Sequence, residues 1–153
     1  MAISKILNMK DCGGHFHGKH LKRALDYVMN PDKTQDGRLV GAINCQVDTA
    51  FEQMKETKRN FGKIDKRQGY HIILSFKENE VNPDTAFEIT QKFVEEYLGK
   101  SYEAVFVVHD NTAHVHSHIV FNSVSFVDGK KYRYEKGDWA KYIQPITNKI
   151  GRA

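Results

Sequence analysis

The stretch from His109 to Asn122 constrains this chain most, because it combines a strand-like alternation with a high density of histidine. Four of the eight histidines fall within ten residues. His114, His116 and His118 alternate with apolar or small residues, which is the period of a β-strand. These three imidazoles therefore share one strand face, with neighbours roughly 6–7 Å apart. The segment is predicted to be a strand that lines one face with imidazoles.

Clustered imidazoles favour a metal centre over a purely structural role. A single buried histidine is more often a hydrogen-bonded core residue, but several titratable rings packed together without an ion cost desolvation and repulsion. Two rings on one strand face can converge on one ion, and His109 can supply a third nitrogen if a tight turn brings it back. Three imidazoles bind Zn, Mn, Fe, Ni or Cu and leave positions open for a substrate.

Bulk properties place the chain among ordinary globular proteins. It has 153 residues, of which 40% are hydrophobic and 27% charged, and its mean hydropathy is negative. That length suits one domain with a real core. No window reaches the ~18 consecutive apolar residues of a spanning helix, and the start is too short and polar for a signal peptide. Cys12 and Cys45 form no disulfide framework, which favours a reducing cytoplasm.

The positive charge is concentrated along the chain. The net charge is +4, with basic residues gathered within 19–33, 55–67 and 130–133 and acidic ones within 78–103. Basic stretches beside aromatic residues suit a phosphate backbone with stacked bases, although solvated helix faces explain 55–67 equally well. A second histidine cluster, His15, His17 and His20, is surrounded by glycines, so a loop or surface cluster is favoured there over a second metal site.

The order of predicted elements indicates an α+β fold. A largely antiparallel central sheet with helices packed on it is expected, with the histidine strand in the middle because its flanking residues are nearly all apolar. Pro145 is expected to break or kink the last helix. Strands are predicted over 3–9, 39–43, 70–76, 102–109 and 114–124, and helices over 20–29, 48–61, 82–99 and around 139–146.

Three segments together resemble the motifs of a known family. The segment 109–124 is similar to the third motif of the relaxases, the mobilisation nucleases that start conjugative transfer, and most closely to their MOB-P (VirD2-like) class from Gram-positive elements. The segment 21–34 resembles the first motif, a helix that carries a nucleophilic tyrosine, and 71–81 resembles the second. The three occur in the family's order and cover most of the chain. The resemblance implies a ferredoxin- or RNA-recognition-like core.

The resemblance also implies roles for individual side chains. Tyr27 is expected to attack the scissile phosphate, and His109, His116 and His118 are expected to bind the metal. The last two form the histidine–hydrophobe–histidine pair of this endonuclease superfamily. Five further side chains are expected near the site or on the DNA, namely His114, Ser75, Glu80, Lys33 and Asn122.

Two positions depart from the family pattern. Ser117 is small and polar where the middle residue of the pair is usually bulky and apolar, although many Gram-positive relatives also carry a polar residue there. Asn111 stands where the family often has an aspartate, which puts any supporting carboxylate role there in doubt, and Asp110 is an open substitute.

The implied function is site- and strand-specific nicking at a transfer origin. Tyrosine transesterification would leave a 5′-phosphotyrosyl DNA link that can be religated. The working ion expected is Mn or Mg, with Zn or Ni as ions that purified protein would hold. The substrate is single-stranded or melted origin DNA, and the partners are an accessory DNA-binding protein and a type IV secretion coupling protein. Residues 1–153 would form a single catalytic domain, in keeping with the N-terminal part of a longer protein, in the bacterial cytoplasm.

Three other functions are weighed against this one. A rolling-circle replication initiator shares the chemistry, but a tyrosine helix ahead of the histidine motif is the relaxase arrangement. A cupin-type dioxygenase needs a glutamate about four places beyond the histidine pair, where this chain has Asn122. A non-catalytic DNA-binding module would use the histidines structurally. Metal content and an SDS-stable protein–DNA adduct separate these functions.

Overall fold

Five strands and four helices form the described part of the chain. The computed structural model describes residues 3–8, 19–65, 67–77, 80–110, 114–135 and 137–151. The strands are β1 (Ile3–Asn8), β2 (Val40–Ile43), β3 (Gly69–Ser75), β4 (Ala104–His109) and β5 (His116–Asn122). The helices are α1 (Lys19–Val28), α2 (Ala50–Asn60), α3 (Pro83–Tyr97) and α4 (Gln144–Gly151). A 3₁₀ turn at Val47–Thr49 precedes α2, and a π-helical turn at Trp139–Ile143 precedes α4.

The strands make one antiparallel sheet in the order β1-β3-β5-β4-β2. The histidine strand β5 is central, between β3 and β4. The predicted α+β class, the antiparallel sheet and the central place of this strand are therefore confirmed. Strands β4 and β5 are neighbours in the chain and pair directly with each other.

Each face of the sheet carries its own hydrophobic core. On one face, α1 and α2 pack Leu21, Leu25 and Met54 onto alternate residues of β4 and β5. On the other face, α3 and the segment after Ile143 cover Ile119, Phe121 and the remaining alternate positions. Each fully buried leucine contributes about 1.5–3 kcal/mol to folding. The sheet is thus held on both sides, and the histidines of β5 face the α1 side.

Local signals explain where α3 begins and how α4 accommodates a proline. The side chain of Asn82 accepts a hydrogen bond from the Thr85 amide at 2.8 Å, and Pro83 occupies the first turn, where its missing N–H costs nothing.

The sequence predicts that Pro145 breaks or kinks the last helix. The helical geometry changes from π to α between Ile143 and Gln144, and Pro145 then stands in the first turn of α4. The helix therefore continues past it.

Some residues singled out in the sequence lie outside the part of the chain that the structure describes. The glycine-containing loop with His15 and His17, and also Asn111, fall outside the described ranges. His20 lies in the first turn of α1. Within the described residues, no helix has the length and apolar character that crossing a bilayer requires.

Candidate active site

Four histidines gather on the α1 face of the sheet. His109 of β4 stands directly opposite His116 of β5. His118 stands opposite Ile73 of β3, and His71 lies two residues away from Ile73 on the same strand. Because residues two apart on a strand share a face, all four imidazoles belong to the face covered by α1. The site is therefore built by three adjacent strands.

The rings of this cluster are in direct contact. The ring centroids of His109 and His118 are 4.3 Å apart, and those of His71 and His118 are 5.0 Å apart. His71 Nε2 and His118 Nδ1 lie 2.8 Å from each other, within hydrogen-bond distance. His118 on β5 thus contacts a histidine on each neighbouring strand, His109 on β4 and His71 on β3.

Burial keeps the rings of His71, His109 and His118 in the neutral form. Desolvation, reinforced by the charge of neighbouring histidines, lowers the pKa of His118 to about 3 and that of His71 to about 4. Burial also lowers the pKa of His109, although its bond to Val28 works in the opposite direction. A neutral imidazole has one nitrogen lone pair free to bind a metal ion.

Tyr27 reaches this cluster from the last turn of α1. Leu21, Leu25 and Val28 bury one side of the helix, which leaves the Tyr27 side chain 52% exposed. Its ring meets those of His109 and His118 edge-on, with centroids 5.9 and 6.4 Å apart. The structure therefore brings the expected nucleophile beside two of the expected metal ligands.

One hydrogen bond ties α1 to the histidine cluster. Nε2 of His109 lies 2.8 Å from the carbonyl oxygen of Val28, the residue that follows Tyr27. A carbonyl oxygen can only accept, so His109 donates its Nε2–H and keeps the lone pair on Nδ1. The bond therefore fixes both the tautomer of His109 and the position of the helix end that carries Tyr27.

The turn after α1 adds a cation to the site. Lys33 Nζ lies 4.2 Å from the centroid of the Tyr27 ring. The backbone of Lys33 accepts a hydrogen bond from the Asp110 amide at 3.2 Å, and the Asp110 carboxylate accepts one from the Gln35 side chain. This turn is thus anchored to the end of β4, which holds the Lys33 ammonium over the phenol.

Three of the other expected site residues lie at or near the end of the sheet that carries the histidine cluster. Ser75 stands opposite His116 in register, at the edge of the cluster. His114 is exposed just before β5. Glu80 is exposed and accepts a hydrogen bond from the backbone amide of Lys77 at 3.0 Å. These three residues lie at or near the end of the sheet where the histidines gather.

Asn122 is not brought to the site. It ends β5 at the opposite end from His116 and is fully buried. Its side-chain amide donates to the Glu103 carboxylate at 2.9 Å and to the carbonyl oxygen of Met54 at 3.0 Å. A buried amide with these partners cannot contact DNA, so its place in the motif reflects a bond between the sheet and α2.

Ser117 is polar for a structural reason. It points to the face opposite the histidines, is fully buried, and its hydroxyl lies 2.5 Å from that of Thr90 in α3. The Thr90 hydroxyl also lies 2.7 Å from the carbonyl oxygen of Ala86, so Thr90 links Ser117 to the backbone of α3. A bulky apolar residue at 117 would need an apolar partner in α3 instead.

The donor set fits a divalent metal ion. In the ranges that the structure describes, no three histidine, cysteine or carboxylate side chains are arranged as a formed metal site. His109, His116 and His118 nevertheless share one face, and the first two are paired in register. Burial holds His109 and His118 neutral, which is the form that binds metal. His116 also interacts electrostatically with both His109 and His118, so the three donors lie in one neighbourhood.

A basic groove lies at the other end of the sheet. Lys131 forms an isolated bridge with Val124, six residues beyond His118, which places the groove about 20 Å from the histidine cluster. The Lys63 ammonium donates to the carbonyl oxygen of Gly129, which holds the two walls together. The groove is lined by four cations and one anion, namely Lys63, Lys130, Lys131, Arg133 and Asp65.

The histidine cluster should make the metal-free protein sensitive to mild acid. His71 and His118 have lower pKa values folded than the ordinary value of 6.5, so the unfolded chain binds more protons as the pH falls. The loss of folding stability that these two histidines cause is small well above pH 6.5 and grows as the pH falls to about 3–4. We expect stability to fall by up to about 3 kcal/mol per pH unit in that window, because the unfolded chain takes up as many as two more protons than the folded chain. Urea unfolding in EDTA at several pH values measures it.

The control for this expectation removes both groups. A His71→Gln, His118→Gln double variant should lose most of the extra slope between pH 6.5 and 4, while the carboxylates common to both proteins titrate equally. Parallel curves for the two proteins would contradict the assignment of the acid sensitivity to these histidines.

His71 is the site residue whose contact the sequence does not reveal. The sequence marks it only as the first residue of the second motif. Its position two residues before Ile73 puts it on the histidine face, but only the pairing of β3 with β5 shows which residues it meets. A histidine at an alternating position of a strand next to the histidine strand is the signal that could have identified it.

Comparisons with known proteins identify the relatives of this chain. The family model for the relaxase MobA/VirD2-like nuclease domain matches residues 27–153. A Staphylococcus aureus protein named Rlx is 33% identical over 118 residues, covering 77% of this chain and 34% of its own length. The group II intron-interrupted relaxase LtrB of Lactococcus lactis is 29% identical over 160 aligned positions, covering 88% of this chain and 27% of its own length. This chain thus spans about a third of these relatives.

Two solved structures share the fold. The conjugative relaxase TrwC, described as metal-bound and in complex with oriT DNA, superposes with a TM-score of 0.62 over 98% of this chain and 68% of its own, at 11% identity. A structure described under the molecular basis of vancomycin resistance transfer in Staphylococcus aureus gives a TM-score of 0.57, covering 98% and 92%, at 13% identity. At such identities the likeness establishes the fold.

The antiparallel sheet with histidines on its central strand, beside a helix carrying an exposed tyrosine, defines a relaxase-type nuclease domain. The chain belongs to the MobA/VirD2-like relaxase family.

Proposed function

We propose that this domain nicks one DNA strand at a transfer origin by transesterification, with Tyr27 as the nucleophile. The observation that carries the proposal is the exposed Tyr27 ring beside the neutral His109 and His118 rings. An exposed phenol next to metal-ligating groups is what attack on a phosphodiester requires. The family of the chain supports DNA nicking in conjugative transfer.

The reaction exchanges one phosphoester for another. The Tyr27 oxygen forms a bond to phosphorus as the bond from phosphorus to the 3′ oxygen breaks. The phenolic proton leaves during attack, and the departing oxygen gains a proton to become a 3′-hydroxyl. Because the DNA end stays linked as a 5′-phosphotyrosyl ester, the same site can religate the strand.

The protein groups around Tyr27 favour negative charge. Lys33, at 4.2 Å from the ring centroid, stabilises both a phenolate and an approaching phosphate. His109, His116 and His118 would hold the divalent ion, with Mn or Mg as the working ion proposed. When bound, that ion supplies charge stabilisation for the phosphate oxygens. The bond from His109 to Val28 keeps the tyrosine helix in register with these ligands.

Single-stranded or locally melted origin DNA is the proposed substrate. A phosphate must reach the exposed phenol at close range, which a paired duplex hinders. The proposal also includes the bacterial cytoplasm as the location of the protein, and an accessory DNA-binding protein and a coupling protein of a type IV secretion channel as its partners. The names of the relatives support a role in mobilisation over replication initiation.

Strand cleavage can be tested directly. Labelled single-stranded oligonucleotides that tile the transfer origin of the element encoding this chain are incubated with the protein, with Mn²⁺ or with EDTA. Denaturing gels should show a metal-dependent covalent adduct. Cutting without an adduct would mean a hydrolytic nuclease, and neither product would leave a DNA-binding domain.

The basic groove should contribute to DNA affinity through the phosphate backbone. Replacing the exposed Lys130 and Arg133 with glutamine should weaken binding. The slope of log affinity against log salt should fall by about 0.7 for each phosphate of single-stranded DNA that the variant no longer neutralises. Fluorescence anisotropy at several salt concentrations measures both quantities.

The matched control is Lys92→Gln, an exposed cation on α3, away from the groove. It should leave the salt slope unchanged. Equal slopes for the parent, the control and the groove variants would show that DNA does not occupy the groove.

A further inference from the structure

His71 is the neighbour of His118 that the proposed mechanism leaves unused. It lies on β3, which pairs with β5, and its Nε2 is 2.8 Å from His118 Nδ1. Its ring is partly buried and tilted by 49° against that of His118. This contact joins the side chain of an expected ligand to a residue that has no assigned role.

The proton in this contact decides whether His118 can bind a metal ion. A neutral imidazole carries one N–H and one lone pair. If His71 donated, His118 Nδ1 would accept, its proton would lie on Nε2, and neither nitrogen could bind a metal ion. If His118 donates from Nδ1, its Nε2 lone pair is free. Only the second arrangement is compatible with His118 as a ligand.

We propose that His71 is a positioning residue whose Nε2 accepts the Nδ1–H of His118 and so selects the tautomer of His118 that presents Nε2 to the metal ion. The inference rests on the proposed function, since it assumes a metal at His118. A histidine ligand commonly donates its other N–H to a neighbouring acceptor, which fixes the ring orientation and raises the basicity of the ligand.

His109 shows the same arrangement with a different acceptor. Its Nε2–H donates to the carbonyl oxygen of Val28, which frees Nδ1. Two neighbouring rings are therefore each held by one hydrogen bond on the side away from their free nitrogen. His109 is held by the tyrosine helix and His118 by the neighbouring strand. The second acceptor is an imidazole, which must itself keep the matching tautomer, with its proton on Nδ1.

Two variants of His71 separate this role from packing. His71→Gln places an amide oxygen near the position of Nε2 and can still accept from His118, whereas His71→Met has similar length and lacks that acceptor. Mn²⁺ affinity of the full chain is measured by electron paramagnetic resonance. The tautomer of His118 is read in the metal-free protein from long-range ¹⁵N–¹H correlations.

The proposal predicts that unmodified protein shows His118 protonated on Nδ1. His71→Gln should keep Mn²⁺ affinity within about threefold, and His71→Met should lose about 10–100-fold. The DNA adduct formed by His71→Met should return at high Mn²⁺, because the loss lies in ion binding and not in Tyr27.

Three outcomes would overturn the proposal. A proton on Nε2 of His118 in the unmodified protein excludes it even if a variant fails to fold. Equal large losses in both variants would make His71 itself a ligand. Unchanged affinity in both would reduce His71 to packing. None of these outcomes would contradict the proposed function, because that function is tested separately by adduct formation with the unmodified protein.

Discussion

Replacing Tyr27 with phenylalanine is expected to abolish the covalent protein–DNA product and to lower strand cleavage by at least about 10³-fold. The variant loses one oxygen, and that oxygen is the atom that attacks phosphorus. The ring keeps its edge contacts with His109 and His118, and the helix is anchored by other residues, so the fold and DNA binding should persist. Denaturing gels with labelled origin oligonucleotides measure cleavage, and anisotropy measures binding.

A second exposed tyrosine provides the control. Tyr142 is 48% exposed, close to the 52% of Tyr27, but it lies in the π-helical turn ahead of α4. Tyr142→Phe should cleave as the parent does. Cleavage by Tyr27→Phe at the parent's rate would remove Tyr27 from the chemistry, and loss of activity in Tyr142→Phe would redirect attention to that residue.

Replacing His118 with asparagine should lower Mn²⁺ affinity by at least about 100-fold and cleavage at limiting Mn²⁺ by a similar factor. The asparagine amide can still donate toward His71, so the change chiefly removes the nitrogen that would bind the ion. His118 contacts both His109 and His71, which makes it the ligand whose loss most disturbs the cluster. Isothermal titration with Mn²⁺ gives the affinity.

The matched control is His114→Asn, on an exposed residue four positions earlier in the same motif. It should bind Mn²⁺ as the parent does. Similar losses in both variants would show that His114 also holds the metal, contrary to the proposed ligand set, whereas no loss in His118→Asn would place the ion elsewhere.

Much of the fold could be predicted from the sequence because its elements have strong local patterns. The alternation in β5 placed His116 and His118 on one face, and the apolar run of β4 placed it beside β5 in the core. Asn82 and Pro83 are local signals for the start of α3, because the Asn82 side chain caps the helix and Pro83 fits its first turn. These features depend on neighbours in the chain.

What the sequence did not reveal depends on contacts between distant segments. The contact between His71 and His118 depends on the pairing of β3 with β5, and the burial of Asn122 depends on the approach of Glu103 and α2. The basic groove arises because residues 63–65 contact the distant segment 129–133, although each stretch was visible as a charge cluster. Strand order and contacts between distant side chains cannot be read from local periodicity.

The most direct test of the account is to identify the residue that carries the DNA. The adduct formed with Mn²⁺ is digested with nuclease and trypsin and analysed by mass spectrometry. Cleavage after Arg23 and Lys33 releases the peptide 24–33, in which Tyr27 is the one tyrosine. We expect a nucleotide 5′-phosphate on that peptide. The same modification on any other peptide, or a nicked strand with no modified peptide, would contradict it.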